Sequence, residues 1–288
     1  MKPALYDAQP AASAEPGPAG AAHPAPARLW DGLVSFLVKT WAITDVEVRK
    51  LRHDPFDLIT RAVQPILWLT IFGGVFGRLR ALPAGQGSYL DFLAPGILAQ
   101  SVIYIAIFQG IAVIWERDQG TLQKFLVSPL PRAALVLGKG LAAGVRGATQ
   151  ALTIFILALI MGVHVSLAPL GVGGVLLLVF LGANFFSTLS LVIAALVRSR
   201  ERVQGMGQLI TMPLFFASNA LYPISLMPAW VAVIAHLNPL SYMVDGLRAL
   251  MVAGGASTLG LPLDFGVLLV ANMLIVSLAA RLYPNLVR

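Results

Sequence analysis

The sequence contains long intervals without a single Asp, Glu, Lys or Arg. They are residues 62–77, 92–115, 147–197, 203–244 and 265–280. A helix needs about 20 mostly apolar residues to cross the hydrocarbon core of a bilayer. With 58% hydrophobic and 11% charged residues, the chain also lies far outside the composition of soluble proteins. We therefore expect an all-α integral membrane protein.

These intervals predict six membrane spans. The spans are placed at about 55–77, 91–114, 141–163, 170–197, 203–222 and 265–280. Pro65, Pro95 and Pro213 are the expected bending points, because a proline inside a helix removes one of its hydrogen bonds. Gly140 and Gly144 lie one helical turn apart and are expected to allow close packing between helices of the same chain.

Residues 223–254 are apolar but do not fit a simple crossing, because Pro223, Pro228 and Pro239 divide them. A helix of about ten residues between prolines is only about 15 Å long, half the hydrocarbon thickness. The segment is therefore predicted to form helices that enter the outer leaflet and return before the last span. Its polar edge would come from Trp230, His236, Tyr242, Asp245 and Arg248.

Residues 29–54 before the first span have the pattern of an amphipathic helix. Trp30 and Trp41 fall among apolar residues at helical spacing, against charged residues that include Glu47 and Arg49. Such a helix would lie in the membrane interface, with its basic residues near anionic lipid headgroups. A short additional crossing is the alternative, which a lysine in the middle of the segment disfavours.

The distribution of basic residues predicts the orientation. With the N-terminus inside, every Lys and Arg falls on the inner side except Arg78, Arg80 and Arg248. Six spans then leave both termini in the cytoplasm. Residues 1–28, rich in Ala and Pro, would form a disordered tail there. The net charge of +7 is explained by contact with lipid and by orientation, without nucleic acid as a partner.

The sequence offers no catalytic motif. The nearest approach to a phosphate-binding loop, Gly138-Lys139-Gly140, lacks the leading glycine and the hydroxyl residue that would hold magnesium. There is no cysteine and the four histidines are far apart, so no metal site is expected. The predicted spans carry neutral polar residues such as Gln100 and Asn184, not the ionisable residues of a secondary transporter. The chain is therefore not expected to be an enzyme.

Residues 115–140 form a charged, helix-prone interval between two apolar runs. Its apolar residues at helical spacing are Leu122, Phe125 and Leu126. Gly120 and residues 128–131 would bound this short helix, and Pro131 is well placed to open the next one. A short helix joined rigidly to two spans could transmit a push from a partner protein. By composition alone, an ordinary solvated loop is an equally good interpretation.

Two motifs occur in this order within the six predicted spans. The first consists of Glu116-Arg117, Gly120-Thr121-Leu122, Ser128-Pro129 and Gly138-Lys139, directly after the second span. The second lies in residues 216–248 and includes Asn238-Pro239-Leu240-Ser241-Tyr242 and Val244-Asp245-Gly246-Leu247-Arg248. Together they resemble the ABC-2 type transporter permeases, which include daunorubicin-type drug exporters and polysaccharide or teichoic acid exporters. The resemblance covers about residues 29–288.

The resemblance implies a homodimer, or a heterodimer with a similar permease, and two copies of a separate ATPase subunit that binds ATP and magnesium. The residues implied to contact the ATPase are Glu116, Arg117, Gly120, Thr121, Leu122, Phe125, Leu126, Ser128 and Pro129. The interface helix, with Trp30, Trp41, Glu47 and Arg49, would brace the ATPase from the other side. The implied outer gate consists of Pro239, Tyr242, Asp245 and Arg248.

The expected function is export of a small amphiphile, such as a drug or a lipid-like molecule, across a bacterial cytoplasmic (inner) membrane. The predicted spans lack the aromatic ladder that would line a path for a sugar chain. The alternatives are a permease for polysaccharide or lipid-linked glycan, an ATP-independent carrier or channel, and a membrane-embedded assembly factor. Charge reversal at Glu116 or Arg117 is expected to uncouple ATP hydrolysis from export without unfolding the permease.

Overall fold

A computed structural model describes residues 29–51, 55–79, 88–120, 131–197 and 200–283. The predicted tail, residues 1–28, lies outside these ranges. The helices are α1 (Leu29–Leu51), α2 (Pro55–Leu67), α3 (Gly73–Leu79), α4 (Tyr89–Asp118), α5 (Arg132–Ile160), α6 (Pro169–Leu196), α7 (Arg200–Phe216), α8 (Ala229–Leu237), α9 (Pro239–Met251) and α10 (Leu261–Leu282). A π-helical turn, Trp68–Phe72, joins α2 to α3, and a short 3-10 turn, Ile224–Leu226, precedes α8.

Four helices of the described residues, α4, α5, α6 and α10, are long and apolar enough to cross a membrane. They confirm the predicted all-α architecture of a membrane protein. The fifth predicted span corresponds to α7, which has 17 residues, and the first is divided among α2, the π-helical turn and α3. The total of six spans stays a prediction.

The predicted bend at Pro65 coincides with an irregularity of the first span. Pro65 lies inside α2, and the π-helical turn begins at Trp68, less than one helical turn later. Proline cannot donate to the preceding turn, and a π-helical turn accommodates the altered hydrogen-bond register. Pro95 and Pro213 lie inside α4 and α7, and both helices continue past them.

The helices on either side of the central charged interval are longer than the spans predicted from the sequence. α4 continues past Trp115 to Asp118, and Gly120, with a φ of 71°, follows its end. A left-handed glycine of this kind is a common helix terminator. α5 begins at Arg132 with Pro131 as its N-cap, which confirms the predicted role of Pro131. The helix therefore starts nine residues before Leu141, where the predicted membrane span begins. The charged residues therefore extend both helices beyond the apolar spans.

The packing of α6 against α4 and α5 forms the centre of the bundle. Gly140 and Gly144 of α5 lie so close to Asn184 and Phe180 of α6 that a Cβ atom at either glycine would overlap those side chains. This confirms the predicted close packing within the chain. Without a hydrophobic driving force between helices in lipid, such close approach supplies much of the van der Waals contact that holds them together.

Replacing Gly144 with leucine is expected to destabilise the bundle. The new side chain would meet the ring of Phe180, and overpacking of this kind costs about 1–3 kcal/mol. Gly173→Leu on α6 is the matched control, because a Cβ at Gly173 meets no atom within 4 Å. The thermal unfolding midpoint in detergent should fall for the first variant only. Equal midpoints for the two variants would contradict the proposed packing.

Candidate functional site

A buried cluster of ions lies where α1, α4 and α5 meet. The Lys139 Nζ atom lies 2.5 Å from Glu116 Oε2 and 3.3 Å from Glu47 Oε1. Gln109 Nε2 donates to the other carboxylate oxygen of Glu47 at 3.2 Å. The side chains of Lys139 and Glu47 are only 4% and 6% exposed. We call these four residues the Lys139 cluster, and this end of the bundle the Lys139 end.

Glu47 reaches the cluster because α1 buries one face of its helix. Thr40, Ile43, Thr44 and Glu47 recur at helical spacing and are all buried. A helix, α1, is present where the amphipathic helix was predicted. Its buried face contains polar residues as well as apolar ones. Trp41, assigned to the apolar face, is 69% exposed, and Glu47, assigned to the polar face, is buried. Glu47 therefore lies on the buried face of α1, and its predicted position on the charged face was wrong.

Gly138 lets α1 approach the backbone of α5. A Cβ atom at Gly138 would lie 2.7 Å from Ile43 Cβ and 3.0 Å from the carbonyl oxygen of Thr40. The Thr44 hydroxyl donates to the Gly138 carbonyl oxygen at 3.2 Å. This close contact brings the next residue, Lys139, within reach of Glu47. The Gly-Lys-Gly sequence thus has a packing role in the structure.

The end of α10 joins the same region. Tyr283, which follows α10, is almost fully buried, and its hydroxyl has no hydrogen-bond partner in the part of the chain that the structure describes. Burial, and then the nearby carboxylates of Glu116 and Glu47, raise the pKa of Tyr283 well above its usual value. The neutral phenol therefore packs beside the cluster, so that four helices meet at one group of charges.

The cluster connects the two sides of the central charged interval. Glu116 lies in the last turn of α4 and Lys139 lies in α5, near the two ends of the interval. A displacement of the interval would therefore act directly on a buried ion pair. A buried pair is costly to break, because separation leaves charges in a medium of low dielectric constant. The arrangement therefore suits the transmission of a movement between helices.

The predicted coupling residues are only partly within the structure. Glu116 and Arg117 continue α4, and the Arg117 Nε atom donates to Asp118 Oδ1 at 3.2 Å. Gly120 follows the end of that helix. Outside the described residues lie Thr121, Leu122, Phe125, Leu126, Ser128 and Pro129. Of the interface-helix residues, Trp30 belongs to α1, and Arg49 pairs with Asp45 at 2.8 Å on an exposed face.

The predicted outer-gate residues lie at the other end of the bundle, which we call the Asp245 end. Pro239 begins α9, and the Asn238 side chain caps that helix by accepting from the backbone N–H of Leu240 at 3.0 Å. The Asn238 amide also donates to the carbonyl oxygen of Leu214 in α7 at 2.7 Å. The Tyr242 hydroxyl donates to the carbonyl oxygen of His236 at 2.7 Å. The Asn-Pro motif therefore fixes α9 to its neighbours.

Asp245 and Arg248 do not form a polar edge, and that prediction was wrong. Asp245 is fully buried and accepts from the Thr258 hydroxyl and from the Leu259 backbone N–H, both at 2.8 Å. The Arg248 guanidinium lies 3.9 Å above the ring centre of Phe92 and 3.8 Å from Asp245. Both side chains point into the protein because their partners lie on α4 and in the segment that follows α9.

The two groups of charges do not meet. Phe92 lies near the start of α4 and Glu116 near its end, so about 36 Å of helix separates them. Within the described ranges, no group of three or more His, Asp or Glu residues could hold a metal ion. Sequence reasoning did not bring Gln109, Lys139 and Tyr283 together at one end, because they are far apart in the chain.

Comparison with known proteins identifies the family of this chain. The family model described as ABC-2 type transporter matches residues 38–252. The daunorubicin resistance ABC transporter permease protein DrrB1 of Streptomyces coeruleorubidus is 28% identical over 235 residues, which cover 81% of this chain and 82% of that protein. The inner membrane transport permease YadH of Escherichia coli K12 is 26% identical over 215 residues, covering 72% and 81%. This chain therefore belongs to the ABC-2 type transporter family and is a transport permease.

Proposed function

We propose that this permease is the membrane subunit of an ATP-driven exporter of small amphiphiles, and that separate ABC ATPase subunits power it from the Lys139 end. The observation that carries the proposal is the Lys139 cluster, in which one buried lysine holds carboxylates of α1 and α4. An ATPase that moved residues 119–130 would pull on Glu116 from one side and on Lys139 from the other. Membership of the ABC-2 family supports an ABC ATPase as the partner.

The coupling follows from how the helices are joined. A push on the interval would shift the end of α4 relative to α5, and the Lys139 cluster would carry the shift to α1. Because α6 packs closely on both α4 and α5, the same shift would change the packing along the whole bundle. Two arrangements of such close-packed helices provide the alternating states that export requires. ATP and magnesium would be bound by the partner, and this chain would supply no catalytic residue.

A cavity at the Asp245 end supports a small amphiphile as the substrate. It has a volume of about 490 Å³, within the size range of small-molecule sites. Apolar and aromatic side chains line it, among them Phe72, Tyr89, Phe216 and Tyr222. Such a lining suits a ligand with an apolar or aromatic body. The similarity to DrrB1, named for daunorubicin resistance, supports the same substrate class.

The assembly would contain two permease copies and two ATPases in a bacterial inner membrane. The excess of basic residues in the segments at the Lys139 end supports a cytoplasmic position for that end and for both termini. A second copy would cover apolar side chains that this chain leaves exposed on α7, such as Leu209 and Phe216. Lipid would cover the exposed face of α1 that includes Trp41.

The test is transport in vesicles that contain the permease with and without its ATPase subunit. We expect ATP-dependent movement of one or more amphiphiles from a panel, and none with the permease alone. Transport by the permease alone would overturn the proposal and favour an ATP-independent carrier. Movement of a glycan substrate but of no amphiphile would overturn the substrate class.

Charge reversal at Arg117 tests the coupling route. Arg117→Glu should lower export per ATP hydrolysed by about tenfold, because it changes the surface beside the interval while leaving the Lys139 cluster in place. Glu116 is less suitable, because its carboxylate holds the buried lysine. Arg202→Glu, at an exposed position on α7, is the matched control and should retain normal coupling. Equal export ratios for the two variants would contradict the assigned route.

A further inference from the structure

A single serine bridges two buried carboxyl groups at the Asp245 end. The Ser257 Oγ atom lies 2.9 Å from Asp245 Oδ2 and 2.8 Å from Asp264 Oδ2. It also accepts a hydrogen bond from the backbone N–H of Gly260 at 2.7 Å. Asp245 and Asp264 are both fully buried. The bridge connects α9, which carries Asp245, to α10, which carries Asp264 in its first turn.

The contacts of Ser257 are satisfied best when one of the two carboxyl groups carries a proton. A serine hydroxyl has one hydrogen to donate and can accept from two donors. Gly260 supplies one of those donors. If both acids were charged, the single hydroxyl hydrogen of Ser257 would be shared between two anions. A proton on one of the two acids gives each of the two contacts a hydrogen of its own.

The surrounding donors identify which acid carries the proton. Asp245 accepts from the Leu259 backbone N–H and the Thr258 hydroxyl, and Arg248 lies beside it, so its charged form is stabilised. Asp264 receives no such donors, and its Oδ1 atom is buried without a hydrogen-bond partner among the described residues. A buried anionic oxygen without a donor is far more costly than a neutral carbonyl oxygen. The hydrogen-bond pattern therefore fits a neutral Asp264 and a charged Asp245.

We propose that Asp264 is a proton-binding site: its protonated carboxyl group donates to Ser257, which donates in turn to the charged Asp245. The site is separate from the proposed coupling route, since it lies at the opposite end of the bundle. Loss of the proton would leave two negatively charged carboxylates against one serine hydroxyl. Their repulsion would loosen residues 257–260 from α9 and α10. The ligand is a proton from the solution at the Asp245 end.

The other charged groups near this site, Arg248 and Asp91, have partners of their own. Arg248 on α9 lies beside Asp245 and over the Phe92 ring of α4. Asp91 of α4 pairs with the His164 ring at 3.3 Å, and the His164 backbone is joined to the segment after α9 through the N–H of Ala253. The stretch 147–197, which includes α6, has no Asp, Glu, Lys or Arg to face Asp264. Asp245 is thus the anion that a deprotonated Asp264 would meet.

Infrared spectroscopy of the purified permease tests the proposal directly. At neutral pH we expect the C=O stretch of a protonated carboxyl group, which disappears as the pH is raised and is missing from Asp264→Asn. Asparagine keeps the shape and can donate to Ser257 from its amide. Asp45→Asn, at an exposed position, should leave the band unchanged. Absence of the band from the wild-type protein at neutral pH, or its persistence at neutral pH in Asp264→Asn, would overturn the proposal.

Stability against pH provides a second measurement. An unfolded chain has an ordinary aspartate that is deprotonated at neutral pH, whereas the folded chain holds the proton. The unfolded state then binds fewer protons, so stability should fall as the pH rises. As the pH is raised from acidic through neutral to alkaline values, the thermal unfolding midpoint of the wild type should drop by at least about 2 °C more than that of Asp264→Asn. Parallel profiles of midpoint against pH for the two proteins would overturn the proposal. The measurement needs no ATPase, so its outcome is independent of the export experiment.

Discussion

Replacing Lys139 with methionine is expected to prevent the permease from accumulating in a folded form. The substitution removes the cation that lies between Glu47 and Glu116 and leaves both carboxylates in the buried junction of three helices. Removing one partner of a buried ion pair costs about 3–5 kcal/mol. That loss is a large share of the stability of an ordinary protein, about 5–15 kcal/mol. The measurement is the yield of monodisperse protein in detergent and its thermal unfolding midpoint.

A combined variant separates folding from coupling. Lys139→Met with Glu47→Gln and Glu116→Gln removes all three charges, and neutral groups of similar volume should restore much of the stability. Export should remain impaired, because the charged connection between α1, α4 and α5 is absent. Asp45→Asn is the control on the exposed face of α1, where an ion pair contributes at most about 1 kcal/mol. A Lys139→Met protein as stable as the wild type would contradict the role of the cluster.

The long helices could be predicted from the sequence because the membrane imposes a strong and local constraint. Apolar runs predicted α4, α5, α6 and α10, and the glycines of α5 predicted its close packing against another helix. Their ends were less predictable. A charged residue marks where a span leaves the hydrocarbon, but it does not stop a helix, so α4 continues to Asp118 and α5 begins at Arg132. Gly120 was the better signal for the end of α4.

The buried charges could not be predicted, because their partners are distant in sequence. Glu47 and Lys139 are 92 residues apart, and a helical pattern assigns every charged residue to the solvated face. Lys139 was predicted to belong to a family motif and to an incomplete phosphate-binding loop, and neither pattern indicates a buried partner on α1. At the other end, Asp245 and Arg248 were predicted to belong to an exposed polar edge. Asp245 is buried, and its main donors come from residues 257–259, a segment whose pattern gave no sign of this role.

Asp245→Leu is expected to cost as much as the loss of Lys139, at the opposite end of the bundle. The substitution removes the acceptor used by Thr258 and by the Leu259 backbone N–H, and it leaves the buried guanidinium of Arg248 without its carboxylate. Arg248 would keep the Asn219 carbonyl oxygen and the Phe92 ring but lose its counter-ion. A buried charge without its counter-ion, together with two lost hydrogen bonds to a charged group, costs about 3–5 kcal/mol. The folded yield and the unfolding midpoint in detergent should both fall sharply.

Asp245→Asn shows which part of this cost is due to charge. Asparagine has the same shape and retains one acceptor oxygen, so the hydrogen bond from Leu259 or Thr258 can persist while the attraction to Arg248 is lost. Its midpoint should lie between those of the wild type and Asp245→Leu. If Asp245→Leu unfolds no earlier than Asp245→Asn, the carboxylate does not hold residues 257–259 in place. An intermediate midpoint instead assigns the stability of this end to one buried anion that connects α9 to the segment before α10.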